Sequence, residues 1–355
     1  MMRTRLLAIL LSPLSLLYGI GVSLRNMLYD AEVIKASKFS LPLIGVGNLS
    51  IGGAGKTPHI EYLIRLLSPY IEVATLSRGY NRSTTGFRFV TPGDSALVSG
   101  DEPLMYARKF QGLTVAVCEN RALAIPQMVQ RYPGIQTVLL DDAFQHRSVQ
   151  PYIQILLSPY DRPFTRDYLL PGGRLREWRS AYKRADVIIV SKCPANITEA
   201  EKQAMIKELD PKAHQRVFFT QYRYGRIYQF YDARYAMEIS KDHDILLISA
   251  IANTAYLNDY LNQSAKSHDS IEFEDHHYFT ERDVNEIIAA FFKRNSTQRY
   301  VLTTEKDAVR LLPFRQKLFD AKVPVFVLPV EVEFLFGEGP AYDAYIKNKL
   351  LDFTS

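Results

Sequence analysis

The segment Ser50-Ile51-Gly52-Gly53-Ala54-Gly55-Lys56-Thr57 follows directly on the apolar run Leu41-Pro42-Leu43-Ile44-Gly45-Val46. A strand, a glycine-rich loop and a helix start in that order are suited to hold a polyphosphate. Gly52, Gly53 and Gly55 let successive backbone N–H groups turn inward, and a helix beginning near Lys56 adds its positive dipole end. The expected nucleotide-binding set is therefore Ser50, Gly52, Gly53, Ala54, Gly55, Lys56 and Thr57. Within it Lys56 sits against the outer phosphates and Thr57 offers its hydroxyl to Mg²⁺. The usual pattern G-x-x-x-x-G-K-[ST] has glycine where this chain has Ser50.

Other polar groups stand at the ends of apolar runs. Val138-Leu139-Leu140 ends in Asp141-Asp142, the place where phosphate-loop enzymes hold Mg²⁺ or its water shell; two adjacent acids after a buried strand are costly without a cation. Gly100-Asp101-Glu102-Pro103 precedes a helix, so Asp101 suits either an N-cap or the base that phosphoryl transfer to a hydroxyl requires. Glu274-Asp275-His276-His277 pairs imidazole with carboxylate, a natural proton acceptor near neutral pH, and the residues alone do not choose between the two histidines. Arg174 and Arg176 in Leu170-Pro171-Gly172-Gly173-Arg174-Leu175-Arg176-Glu177 suit bidentate recognition of phosphate, and Arg78 in Ser77-Arg78-Gly79-Tyr80 offers another such fork. Thr303-Thr304-Glu305-Lys306-Asp307 reads as a loop-to-helix cap.

These residues need a scaffold that gathers strand ends. After the loop helix, strands are predicted at Ile71–Leu76, Leu113–Val117 and Ile135–Leu140, with helices at Pro103–Phe110 and Arg121–Arg131. Such alternation implies right-handed crossovers and a mainly parallel α/β sheet that binds ligands at its carboxyl ends. A second alternating block has strands at Val187–Val190, Arg216–Thr220, Ile245–Ser249 and Arg299–Leu302. The runs Tyr152–Leu157 and Pro324–Val330 bracket it and, if paired, form a two-stranded β connection able to hinge. The expected organisation is a nucleotide-binding domain over residues 31–160, a second α/β domain over 161–332, and a tail, 333–355, that returns to the first.

The 355 residues are enough for two cores, and 47% hydrophobic with 23% charged residues is a globular composition. A net charge of +5 is too small to imply nucleic-acid binding, and no protein partner is inferred. Cys118 and Cys193 are far apart and point to a reducing compartment rather than a disulfide framework. From Leu6 to Val22 almost every residue is apolar, Arg3 and Arg5 precede the run, and no acid appears before Asp30. Residues 1–30 are thus expected to form an apolar helix at a membrane surface, with Pro13 and the short length arguing against a full span. Ser12, Ser15, Gly19 and Ser23 make one small-residue stripe along it.

Taken together, Val46-Gly47-Asn48-Leu49-Ser50 through Pro58, Ser77-Arg78-Gly79-Tyr80, Gly100-Asp101-Glu102-Pro103, Asp141-Asp142-Ala143-Phe144-Gln145-His146, Leu175-Arg176-Glu177, Asp275-His276-His277 and Thr304-Glu305-Lys306-Asp307 resemble the tetraacyldisaccharide 4'-kinase family, in order over nearly the whole chain. That family carries Ser or Thr at the position of Ser50. The resemblance implies transfer of the ATP γ-phosphate, with Mg²⁺, to the 4'-hydroxyl of an acylated glucosamine disaccharide 1-phosphate lipid, by a peripheral protein at the cytoplasmic face of the inner membrane. It further implies Lys56 as the phosphate lysine, Thr57 as a metal ligand, and Asp101 as the base coupled to His276. Glu102, Asp141 and Asp142 become the acids around metal and nucleotide, and Arg78, Arg176 and Glu177 the substrate-binding set. Ala143, where the family usually has glycine, and Trp178, where proline is common, are departures.

Overall fold

A computed structural model of the chain describes residues 10–354. The N-terminal helix α1 (Ser12–Asp30) carries Pro13 in its first turn, where no N–H is needed. Leu6 to Ile9 of the apolar run, and Arg3 and Arg5, lie outside the described residues. Strand β1 (Leu43–Asn48) leads into α2 (Lys56–Leu67), β2 (Val73–Ser77) and β3 (Arg88–Phe89). Then come α3 (Asp101–Lys109), β4 (Thr114–Val117), α4 (Arg121–Arg131), β5 (Thr137–Asp141) and β6 (Ile153–Pro159). Asn120 caps α4 by accepting the Leu123 N–H, which is why that helix begins where the sequence pattern puts it.

Beyond β6 lie β7 (Val187–Ser191), α5 (Glu199–Leu209) and β8 (Arg216–Tyr224). The chain continues through β9 (Ile227–Gln229), β10 (Ala236–Met237), β11 (Asp244–Ser249), α6 (Ala255–Ser264) and β12 (Ser267–Glu272). It closes with α7 (Glu281–Phe292), β13 (Arg299–Thr304), α8 (Glu305–Leu311), β14 (Val325–Leu328), β15 (Val330–Phe334) and α9 (Gly339–Leu351).

Among the described residues these strands form a nine-stranded sheet, β15-β8-β7-β6-β1-β5-β2-β4-β3, and a six-stranded sheet, β10-β9-β14-β13-β11-β12. Every residue of β1, β2, β5 and β7 is buried, the pattern of parallel strands covered on both faces. The carboxyl ends of β1, β2, β5 and β7 share one edge, and the carboxyl ends of β11 and β13 in the second sheet face it.

The sheets divide the chain differently from the sequence expectation. β7 and β8 belong to the first sheet, not to the second block, and β6 lies between β1 and β7 instead of pairing with Pro324–Val330. Apolar runs such as β6 and β14 carry strong β propensity, but that does not tell a central parallel strand from a connector. The strands that link the sheets are β8 and β15, paired antiparallel from Val330↔Tyr224 to Phe334↔Thr220. Their half-buried pattern and the Arg223–Glu331 and Gln221–Glu333 contacts at 2.8 Å mark an edge ribbon. After β15, Tyr342 and Ile346 of α9 pack in the core of the first sheet.

Helix α1 docks on the loop between β6 and β7 through its small-residue stripe. A Cβ at Gly19 would stand 2.4 Å from the Trp178 ring. The indole N–H of Trp178 donates to Ser23 Oγ at 2.8 Å, Ser15 Oγ donates to the Leu169 carbonyl at 3.2 Å, and Tyr18 donates to the Arg176 carbonyl at 2.9 Å. Its remaining surface exposes Leu14, Leu17, Ile20, Leu24 and Met27. No helix among the described residues is long and apolar enough to cross a membrane.

Candidate active site

The loop after β1 turns at Gly52 (φ 108°) and Gly55 (φ 87°), conformations that L side chains rarely adopt. At Gly55 a second constraint applies, because a Cβ there would meet the Tyr222 hydroxyl at 2.8 Å. Ile51 N–H donates to the Arg174 carbonyl at 2.8 Å, and Ser191 Oγ donates to the Ala54 carbonyl at 2.8 Å, so the loop is held between the arginine loop and the end of β7. Ser50 forms an isolated bridge to Leu175. Its place is that of a short β contact, which tolerates a side chain where a sharp turn would need glycine. From here α2 starts with Lys56, whose Nζ lies 3.2 Å from Asn48 Oδ1 and 3.5 Å from Asp142 Oδ1.

The carboxylates at the end of β5 differ in what surrounds them. Asp142, in a left-handed turn (φ 48°), accepts both arms of Arg176 at 2.8 and 2.9 Å. Burial would raise its pKa, but Lys56 and Arg176 outweigh burial and hold it well below the usual carboxylate range. Asp141 accepts the Tyr106 hydroxyl at 3.1 Å on Oδ2, while its buried Oδ1 has no hydrogen-bond partner among the described residues. Burial pushes Asp141 up to about 6, with Glu102 and Asp142 adding to the rise against Lys56. Arg121, fully buried, donates to the carbonyls of Asp141 and Asp142 and fixes the turn. The backbone after Asp142 lies on Gly47, where a Cβ would come 2.7 Å from Phe144 N; the left-handed residue of this turn is Asp142, and Ala143 fits without strain.

A prediction follows from the sign of the Asp141 shift. Its folded pKa lies above the unfolded value of about 3.9, so ionisation disfavours the folded state as pH rises past that value, and the penalty is complete above about 6. Asp141→Asn should therefore stabilise the nucleotide-free protein at pH 7.5 by an amount on the order of 1–3 kcal/mol, read as a higher melting temperature, and leave it nearly unchanged at pH 4. Thermal melts at the two pH values check this, and equal effects at both would be contrary.

The third group joins the two sheets. Asp101 is buried at the start of α3, and its Oδ2 accepts Arg310 Nε at 3.0 Å and lies 3.2 Å from His276 Nδ1. Arg310 Nη2 also donates to Asp101. Burial would raise Asp101, and the hydrogen bonds from His276 and Arg310 override it, holding the carboxylate below its ordinary value. Arg310, fully buried on α8, bridges onward to Asp307 at 2.8 Å. His276 Nε2 lies 3.3 Å from Lys306 Nζ, and Lys306 pairs with Glu102 at 2.8 Å. An ammonium only donates, so Nε2 accepts and the ring proton sits on Nδ1, directed at Asp101. His277 instead bonds Asp283 at 2.9 Å and stacks on Phe273, which separates the roles of the two histidines. The Asp101–His276 contact is already formed in this structure; no closure is needed to make it.

Lys56, Thr57, Glu102, Asp141, Asp142, Arg78, Arg176 and His276 line one cleft of about 580 Å³, with Asp101 behind His276. A neighbouring cavity of about 400 Å³ is lined by Tyr18 and Arg25 of α1 with Arg78, Gln145, His146 and Glu177. Arg78 is exposed and without an ion pair or hydrogen bond among the described residues. Glu177, by contrast, is buried and holds Asn26 at 3.1 Å and Arg184 at 2.8 Å, tying α1 to the loop. Arg176 is likewise occupied, by Asp142 and Asn48.

Sequence reasoning missed Arg310, Arg121 and Asn48. Arg310 stands three residues after Asp307 on one helix face, a signal that spacing offers once that segment is taken as more than a cap.

The family model described as tetraacyldisaccharide-1-P 4'-kinase matches residues 7–351. The chain belongs to this kinase family. It is 41% identical over 345 residues to the tetraacyldisaccharide 4'-kinase of Phocaeicola vulgatus, covering 95% of this chain and 94% of that one. With the Flavobacterium johnsoniae enzyme of the same name it shares 41% over 334 residues, 93% and 94% of the two chains. The crystal structure of LpxK from Aquifex aeolicus, an "apo" form in complex with ATP, superposes with a TM-score of 0.74 at 26% identity, covering 97% and 99%. The kinase-family sequence and the α/β architecture thus agree along the full described chain.

Proposed function

We propose that this family member transfers the γ-phosphate of ATP to the 4'-hydroxyl of a tetraacylated glucosamine disaccharide 1-phosphate. The observation that carries the reading is the convergence on one cleft of a glycine loop with Lys56, an acid pair at a strand end, and a histidine backed by a buried carboxylate. The glycine loop is a phosphate loop, with Ser50, Gly52, Gly53, Ala54, Gly55, Lys56 and Thr57 holding the nucleotide. The unpartnered buried Oδ1 of Asp141 fits a hard cation, which takes one or two carboxylates and completes its shell with phosphate and water. Thr57, Asp141, Asp142 and Glu102 would hold Mg²⁺, which neutralises charge on the phosphoryl oxygens.

The acceptor oxygen attacks phosphorus in line with the departing ADP, and its proton passes to the Asp101–His276 unit. Arg78, with no partner among the described residues, is directed to the acceptor's phosphate; Arg176 and Glu177 act on the acceptor by fixing the walls of its cavity. The two sheets are the cores of two domains, joined at the β8–β15 ribbon, whose movement would exclude water before transfer. Helix α1 lies on the cytoplasmic face of the inner membrane as a peripheral contact.

Incubating the purified chain with γ-labelled ATP and the acylated disaccharide tests the proposal, with label expected in the lipid. Release of labelled phosphate alone would favour an NTPase instead. Replacing Leu17, Ile20 and Leu24 together by Gln should reduce co-flotation with anionic liposomes by about tenfold or more, since each buried side chain contributes on the order of 1 kcal/mol. Nucleotide affinity should be unchanged, because those side chains are 66%, 56% and 53% exposed and away from the cleft. Undiminished flotation would remove α1 as the membrane contact.

A further inference from the structure

Lys192 is the first residue after β7, and it has a left-handed backbone (φ 57°). That turn carries its side chain over the glycine loop, where its ammonium would lie 3.8 Å from a Cβ at Gly53. The neighbouring Ser191 hydroxyl donates to the Ala54 carbonyl at 2.8 Å and ties the end of β7 to the loop. The ammonium sits between two rings, 5.4 Å from the Tyr222 centroid and 5.5 Å from the Tyr256 centroid. It forms no ion pair and no hydrogen bond among the described residues, and the carboxylate that acts on it from a distance is Asp161, itself exposed.

A half-buried cation lacking a counter-ion is costly; the two rings offset part of that cost, and an arriving anion would offset more. Lys192 lines the cleft together with Gly53, Gly55 and Lys56, but it takes no part in the neighbouring cavity where Arg78, Arg176 and α1 meet. Lys56 is tied to Asn48 and to Asp142, a residue that also lines that neighbouring cavity, whereas Lys192 reaches the loop from the β7 side. We propose that Lys192 is a second phosphate-binding lysine, which holds the diphosphate that remains on the nucleotide after transfer. The proposal rests on the phosphate-loop reading given above and adds a residue from outside the loop to it. It differs from a structural role in predicting that the site is strained when empty and relieved by a nucleoside diphosphate.

Equilibrium binding of ATP, ADP and AMP to the full chain, for the wild type and for Lys192→Met, Lys192→Arg and Lys192→Asn, tests it. The Met and Asn variants should bind ATP and ADP with affinities reduced by the same factor, about 10- to 100-fold as for loss of a charge-assisted contact, and AMP within about threefold. The Arg variant should retain most of the affinity. Melting temperatures of the nucleotide-free Met and Asn variants should equal or exceed that of the wild type; Asn also suits the left-handed backbone, so a strained backbone cannot mimic the effect. Unchanged ATP and ADP binding would overturn the proposal, as would an equal loss for AMP, which would move Lys192 to the nucleoside, or a clear drop in nucleotide-free stability. Lys56→Ala in the same assay separates the two readings. If it weakens ADP while the Lys192 variants do not, only this inference fails; a wild-type chain that binds none of the three nucleotides defeats the phosphate loop itself.

Discussion

Lys56→Ala is expected to lower turnover by about 10³-fold at saturating ATP and acceptor, because the ammonium neutralises charge on the transferring group when the bond to ADP loosens. The fold should survive the change. Asp142 keeps both arms of Arg176 when Lys56 is lost, and Asn48 keeps its contact with the same guanidinium at 2.7 Å, so Asp142 stays compensated, while Asp141 loses the cation that opposes its rise and is pushed further toward its neutral form. Lys56→Arg should rescue little, since a planar fork does not fit where a compact point charge is cradled by the loop. Turnover of labelled ATP into lipid, read beside thermal melts, checks both statements. Near-normal transfer by a folded Ala variant would remove Lys56 from the chemistry.

The parts of this site that were legible in the sequence are those in which one short segment holds both the structural cause and the chemical group. Gly52, Gly55 and Lys56 declare a left-handed turn and a helix start within a few residues, and the structure has both at those positions. The acid pair was legible because β5 is an unbroken apolar run that ends on it. The helix limits Arg121–Arg131 were legible because a cap residue, Asn120, stands directly before them.

What was hidden depends on contacts between distant segments. No local pattern says that β7 and β8 extend the first sheet, or that the ribbon joining the sheets is β8 with β15. Apolar strands of the two sheets look alike, and the choice of neighbour is made by crossovers and packing on both faces. Arg310 was hidden for the same reason: its partner Asp101 is 209 positions away. Trp178 shows the converse. A departure from the family pattern, it meets Gly19 of the small-residue stripe, so the stripe and the substitution are two halves of one packing contact.

The second large effect concerns the proton acceptor. Asp101→Asn and His276→Ala should each lower turnover by about 10²- to 10⁴-fold, and the double variant should be little worse than the weaker single one. The reason is geometric: the ring proton of His276 is directed at Asp101 and its Nε2 is held by Lys306, so the carboxylate orients the imidazole and the two act as one unit. Asp101→Asn keeps the side chain's volume beside Arg310, and Arg310 keeps Asp307, which limits damage to the contact between the sheets. The pH profile separates catalysis from structure. Asp101 is held below its ordinary value and stays ionised throughout about pH 6 to 9, so turnover by the wild type should not fall toward pH 6 through protonation of that carboxylate. Arg310→Met removes a cation beside Asp101, which raises the carboxylate pKa, and the acid limb of the turnover profile should move upward with it. His277→Ala, which loses its contacts to Asp283, Phe273 and Phe279, should retain most activity. Fully multiplicative losses in the Asp101 and His276 variants, or an inactive His277→Ala beside a normal His276→Ala, would place the base elsewhere.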